Sequence, residues 1–348
     1  MDTVDEVLRL LKEEELERLK AELVAGLLEK KVFQKYKFLG QYHRVVIDGT
    51  RVVNVSEGHC EQCLTQTSKS GKVSCFHNVL EAKLVCENGF CISLATEWIE
   101  NPQGDYEKQD CERRAWERLA PKLKRAYPRL PICVVADALY PNQTFFRLCA
   151  ENHWEWLVTF KDGCLPSVWE EVAGLRSLGE EQRREERLRQ QRHDIRRHYR
   201  WINALLYTTF TVHWFECLET VGETATRFVY LSSLPVEYLQ VLEMTQSGRL
   251  RWMIENEGFN IQKNEGYGLT HLYSRVSLTA LKNYYQCLQI AHLIHQLWQL
   301  SASGQALRQG KTTWRHLWKK MLGEMRERLL SLPLLERMLA QPIQIRFG

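Results

Sequence analysis

Residues 132–137 read Ile132-Cys133-Val134-Val135-Ala136-Asp137. Five apolar residues in a row, followed at once by a carboxylate, predict a strand buried on both faces that ends in an acid. Burial on both faces requires helices packed above and below the sheet. Moving upstream, residues 108–127 predict a helix with Ala115, Leu119 and Leu123 on one side, stopped by Pro128. Moving downstream, residues 142–152 predict a short helix and 154–160 another strand. Nearer the start, Val45-Val46-Ile47 is a β-branched run followed by Asp48-Gly49, a strong turn pair, with residues 51–55 as the returning strand of a hairpin. Residues 79–86 and 90–96 predict two further strands. The expected fold class is therefore α/β, a mixed sheet flanked by helices.

The ends and the middle differ in texture. Residues 3–30 predict one helix through Leu8, Leu11, Leu16, Leu19, Leu23 and Leu27. From residue 183 to 200 the chain is crowded with arginine (Arg183, Arg184, Arg187, Arg189, Arg192, Arg196, Arg197, Arg200), and this stretch predicts a basic helix. Strand-like segments at 206–218 and 227–231 follow. Helices return at 251–263 and 278–300, the second with Leu281, Tyr284, Leu288, Ala291 and Trp298 in one stripe. The expected division is a helical arm over 1–39, a core formed by 40–161 and 250–300, a strand-rich insertion over 162–249, and a helical tail over 301–348.

Composition narrows the function classes. The 348 residues are 44% hydrophobic and 26% charged, which excludes a disordered or collagen-like chain. The longest apolar runs are too short for a membrane span, and the acidic start Met1-Asp2-Thr3-Val4-Asp5-Glu6 lacks a leader pattern, so the cytoplasm is the expected compartment. Without a leader, the 11 cysteines read as reduced thiols or metal ligands. The net charge of +4 permits nucleic-acid binding, and a second basic stretch runs from Arg308 through Lys319 and Lys320 to Arg328.

Three carboxylates stand out. Asp48 and Asp137 each follow a buried strand, and α/β sheets form their sites at the carboxyl ends of strands. Glu255 lies one helical turn after Arg251, on the same face. Each has a plain structural alternative: a turn for Asp48, a helix cap for Asp137, an i,i+4 ion pair for Glu255.

Taken together, Val45-Val46-Ile47-Asp48-Gly49-Thr50, Val134-Val135-Ala136-Asp137-Ala138-Leu139-Tyr140 and the stretch 251–260, Arg-Trp-Met-Ile-Glu-Asn-Glu-Gly-Phe-Asn, resemble the DDE-type transposases of bacterial insertion sequences. The resemblance spans about residues 40–300. It implies a ribonuclease H-like core, with a strand-rich insertion between the second aspartate and the glutamate; residues 138–254 leave room for one. It implies that Asp48, Asp137 and Glu255 are catalytic and hold two Mg²⁺ or Mn²⁺ ions. The implied partner is double-stranded DNA, both transposon ends and target, contacted by Arg251, Lys263 and Lys161 and tracked by Arg189, Arg192, Arg196 and Arg197. A homodimer on DNA, a nucleoid-associated location in a prokaryote, and a shortened DNA-recognition region in residues 1–39 belong to the same expectation. Two positions depart from the family pattern. Gly248 stands where a tyrosine is expected, and the lysine falls at 263 rather than 262, as if one residue were added around Glu257-Gly258. Two other readings remain: a truncated or inactive DNA-binding remnant, and a stand-alone metal-dependent nuclease. Trp201, Trp214 and Tyr207 read either as stacking platforms for an unpaired base or as core of the insertion.

A separate pattern is Cys60-x2-Cys63 followed by Cys75-x-His77, with His59 as an alternative ligand. Such pairs suit a structural Zn²⁺, or equally are scattered reduced thiols in a hairpin extension.

Overall fold

The computed structural model describes residues 3–55, 62–101, 110–190, 193–308, 312–328, 331–340 and 347. The expected single N-terminal helix is two, α1 (Thr3–Leu10) and α2 (Glu13–Glu29). Lys12 is extended between them, and the buried Asn283 amide donates to the carbonyls of Leu8 (2.8 Å) and Leu11 (3.0 Å). Those bonds satisfy a carbonyl in the last turn of α1 and one just beyond it, and Glu13, Glu14 and Glu15 favour a fresh helix start.

Strands β1 (His43–Val55), β2 (Leu64–Thr67), β3 (Val73–Val85) and β4 (Cys91–Ile99) come next, then α3 (Glu112–Ala126), β5 (Ile132–Ala136), α4 (Gln143–Glu151), β6 (Glu155–Thr159) and α5 (Pro166–Ser177). The expected hairpin at Asp48-Gly49 does not form. Strand β1 runs straight through both residues, paired with β3 from Val45↔Leu84 to Val55↔Cys75, and Gly49 lacks the positive φ that such a turn requires.

The basic stretch is also strand rather than helix. Strands β7 (Gln182–Gln190) and β8 (His193–Tyr207) take its place, and β9 (Phe210–Val221) and β10 (Thr224–Ser232) follow, each antiparallel to the one before. Ile195, Tyr199 and Trp201 are buried at even spacing along β8, a period of two that only a strand can present to one core. Then come α6 (Val241–Arg249), a 3₁₀ turn (Leu250–Trp252), a π-helical run (Ile254–Asn260), α7 (Ile261–Asn264), α8 (Leu278–Gln299), α9 (Ala302–Leu307), α10 (Trp314–Glu327) and α11 (Leu332–Leu339).

One mixed sheet holds all the strands, in the order β2-β3-β1-β5-β6-β10-β9-β8-β7, with β4 also on β3. The pairs β1–β5 and β5–β6 are parallel, and the others are antiparallel. Because β10 pairs with β6, the strand-rich segment prolongs the sheet of the core. Alternation along β1 sends Val45 and Ile47 to one core layer with α2 to α5, and Val46 to the other with α6, the π run and α8. Among the described residues, no helix is long and apolar enough to cross a membrane.

Candidate active site

Asp48 lies on β1 two residues after Val46, so it shares that residue's face, the side of the sheet covered by the π run. Asp137 directly follows β5, the parallel neighbour of β1. It does not cap the next helix. Asn142 does that, accepting from the Phe145 amide at 3.1 Å, while Asp137 accepts from the Leu139 amide at 2.8 Å. Burial pushes the Asp48 carboxyl up to about 7, against the pull of Arg251, and the charges of Glu112, Glu255 and Asp137 add to the rise.

Arg251 joins two of the acids. Its Nη1 lies 3.5 Å from Asp48 Oδ2 and 3.3 Å from Glu255 Oε1, with side-chain exposures of 11% for Arg251, 16% for Asp48 and 39% for Glu255. The i,i+4 pair expected from sequence is therefore real, and it also reaches across to the sheet. Lys263 faces the same place. Burial pulls its ammonium down from the usual range, while Asp48 and Glu255 pull it back up.

The π run explains how. Residues seven apart share a face of an α-helix, and Lys263 stands eight after Glu255. A π turn closes its hydrogen bonds over five residues rather than four, so it absorbs about one extra residue. The run Ile254–Asn260 contains Glu257 and Gly258, where the resemblance implied an added residue. Gly258 packs on β3 and β4: a Cβ there would lie 3.2 Å from Cys91 Sγ and 3.6 Å from Lys83 Cδ. Gly248, where the resemblance leads one to expect a tyrosine, is sterically confined. A Cβ at that position would run into the ring of Tyr230 from β10.

Glu112, which no sequence motif marks, lies near the same end of the sheet. It opens α3, and its Oε2 accepts from the Tyr140 hydroxyl at 3.4 Å. Burial and then Asp137 raise its carboxyl above the ordinary range, with the Tyr140 hydrogen bond opposing. A Cβ on Gly49 would lie within 3.0 Å of its Oε1, Cδ and Cγ, so the glycine makes room for this carboxylate. An acid in the first turn of a helix is so common that nothing in the sequence sets this one apart.

The residues expected to meet DNA divide. Arg189 and Arg196 are exposed on the β7–β8 ribbon, and Arg192 lies outside the described residues. Arg197 is on the opposite face, bonded to Glu219 at 2.6 Å and Glu186 at 3.3 Å. Lys161 is exposed beyond β6, its carbonyl accepting from the Trp169 indole at 3.2 Å. Of the three aromatic residues with a stacking alternative, Trp201 and Trp214 are core and Tyr207 packs on Phe146. Trp252 instead stands open at the candidate site, 54% exposed, with the Arg251 guanidinium 5.0 Å from its ring centre.

At the cysteine pattern, His59 and Cys60 lie outside the described residues. Cys63 Sγ and His77 Nε2 are 3.3 Å apart, and Cys75 is buried two residues before His77 on β3. Among the described residues, no three His, Cys, Asp or Glu side chains stand close enough together to hold a metal ion.

No family model matches this chain, and no curated protein matches it.

Proposed function

We propose that this chain is a DNA transposase with a ribonuclease H-like core. The observation that carries the reading is the convergence of three sequence-distant segments: Arg251 pairs with Asp48 on β1 and Glu255 on the π run, and Asp137 directly follows β5, the parallel neighbour of β1. The strand order β4-β3-β1-β5-β6, with antiparallel pairs first and parallel pairs after, is the order such a core would have.

Asp48, Asp137 and Glu255 are the residues that would hold Mg²⁺ or Mn²⁺, since carboxylate oxygens are the donors these hard cations take, although in this conformation the three do not stand close enough together to share one ion. Two such ions, when bound, stabilise the attacking and leaving oxygens of a phosphodiester. The chain's own residues bind and orient. Arg251 offers a planar fork of donors to a phosphate, and in this conformation it balances Asp48 and Glu255 instead. Lys263, brought to the same face by the π run, is a second phosphate contact. The ribbon arginines track the backbone of double-stranded DNA. Strand transfer into target DNA and a homodimer on DNA belong to this proposal, as does a structural Zn²⁺ at Cys60, Cys63, Cys75 and His77.

Single replacement of Asp48, Asp137 or Glu255 by Ala is expected to abolish Mg²⁺-dependent cleavage and strand transfer on DNA carrying the sequences that flank the gene. Duplex binding should remain, equal or slightly tighter, because negative charge beside phosphate is removed. Full activity in any one of the three variants overturns the assignment. Cleavage without strand transfer by the unaltered protein selects the nuclease reading, and binding without either selects the remnant.

A further inference from the structure

Seven residues after Glu255 an unbroken α-helix would return to the same face, and that position is Gln262. Gln262 instead faces α8 and is fully buried. Its Nε2 donates to Gln289 Oε1 at 2.9 Å and lies 2.9 Å from His292 Nδ1, while its Oε1 accepts from Gln289 Nε2 at 3.2 Å. Gln289 Oε1 also accepts from the Lys83 ammonium of β3 at 3.0 Å. Lys83, Gln289 and His292 are each at most 3% exposed, so each needs its partner within the protein. The backbone is held too, because the Gln262 carbonyl accepts from the Leu269 amide at 2.9 Å.

Turns of π-helix are rare, and their surroundings must favour them over the α-helix. Were the run Ile254–Asn260 to relax to α geometry, with Glu255 still held by Arg251, every later residue would move round by about one position. Gln262 would take the place of Lys263, and Lys263 would take the exposed place of Asn264. Ile261 would then meet Gln289 and His292, leaving both without the amide that now satisfies them. Unpaired buried polar groups oppose that relaxation.

We infer that Gln262 is a positioning residue: its paired amide with Gln289 fixes the register in which Lys263, rather than residue 262, is turned toward Asp48 and Glu255. The use of that register in holding a phosphate rests on the proposed reaction, whereas the register itself is a property of the protein alone.

The test is acetylation of the full chain with an N-hydroxysuccinimide ester, the rate at Lys263 being read by mass spectrometry against that at exposed Lys161, together with Mg²⁺-dependent cleavage. Gln262→Leu should label Lys263 about fivefold faster than the unaltered protein does, and lower kcat/KM for cleavage to the level of Lys263→Gln. Gln262→Asn, whose amide stops one methylene short, should fall between the two, and it carries the comparison should Gln262→Leu not fold. Removal of the exposed Asn256 leaves seven steps between Glu255 and Lys263, so a plain α-helix then gives the same alignment. In that background Gln262→Leu should label Lys263 slowly again and regain most of the cleavage, a rescue that mere loosening of the core would not show. If Lys263 is labelled within twofold of the unaltered rate in both Gln262 variants, or fast in Gln262→Leu with and without Asn256, Gln262 is only a buried amide and the inference fails, whatever the cleavage assay shows. If labelling follows the expected order and the unaltered protein cleaves no DNA, the transposase reading fails and the register assignment stands.

Discussion

Arg251 balances the charge of two carboxylates at once, which explains how Asp48 and Glu255 lie so near each other in a half-buried place. Arg251→Ala should remove a phosphate contact of about 1.5–3 kcal/mol, the range for hydrogen bonds to charged groups. In the cleavage assay this is a decrease of roughly tenfold to a hundredfold in kcat/KM, less than the decrease from removing any of the three acids. An unchanged kcat/KM would show that the guanidinium serves only to balance Asp48. At this scale the sequence singles out Asp48, Asp137 and Glu255 because each sits in a distinctive motif, and the structure sets Asp48 and Glu255 about one guanidinium. The sequence is silent about Glu112, because nothing near residue 112 announces that Gly49 and Tyr140 will fold onto it.

The β7–β8 ribbon has the charge density of a solvated helix, yet it is a pair of strands. Its pairing is more telling than its composition. Arg187 stands directly opposite Arg196, both exposed, a like-charge pair that costs stability in a sheet. Arg189 shares their face. Anionic DNA backbone would relieve that repulsion. Replacing Arg187 and Arg196 by Glu should weaken binding to any duplex and lower the steepness of its salt dependence by about 2, near 0.9 for each phosphate that is no longer neutralised. Replacing Arg197 instead should lower the melting temperature, since that residue ties Glu186 to Glu219. Equal salt slopes for the unaltered and double-Glu proteins would make the ribbon a merely solvated surface. The neighbouring β2–β3 region carries the zinc proposal, for which Cys63 and His77 are already in contact. Elemental analysis of purified protein should find one Zn²⁺ per chain, with chelator lowering thermal stability; protein free of zinc and indifferent to chelator would refute it.

Across the whole molecule, burial of histidine makes stability depend on pH. His43 at the start of β1 is 7% exposed, and burial, with Lys37 nearby, lowers its imidazole to about 4. Its folded pKa lies below the unfolded value near 6.5, so between these limits the unfolded chain binds the extra proton and stability falls as pH falls. The full effect of His43 is on the order of 3 kcal/mol, complete once the pH reaches about 4. Burial also lowers His292. Urea midpoints should therefore drop between pH 7.5 and 5, and His43→Asn should flatten part of that drop. A midpoint that holds steady across this range would contradict the assignment of His43 as a buried neutral imidazole.

Local chemistry alone determined much of this protein. The apolar run 132–136 is a strand buried on both faces, as its composition requires, and the helices around it follow their apolar periodicity. The added residue near Gly258 came from the resemblance rather than from local periodicity, and the π run Ile254–Asn260 spans that position. Tertiary structure decided the rest. Asp48-Gly49 is an ordinary turn signal until β3 pairs along the whole of β1 and holds it straight. The arginine-rich stretch becomes strand because its alternating Ile195, Tyr199 and Trp201 find a core. The convergence of the acids depends on Val46 pairing with Val135, and the union of core and insertion on Tyr230 pairing with Thr159. Contacts so distant along the chain gain their free energy only once the sheet assembles, and that gain is large enough to override the preference of any short segment.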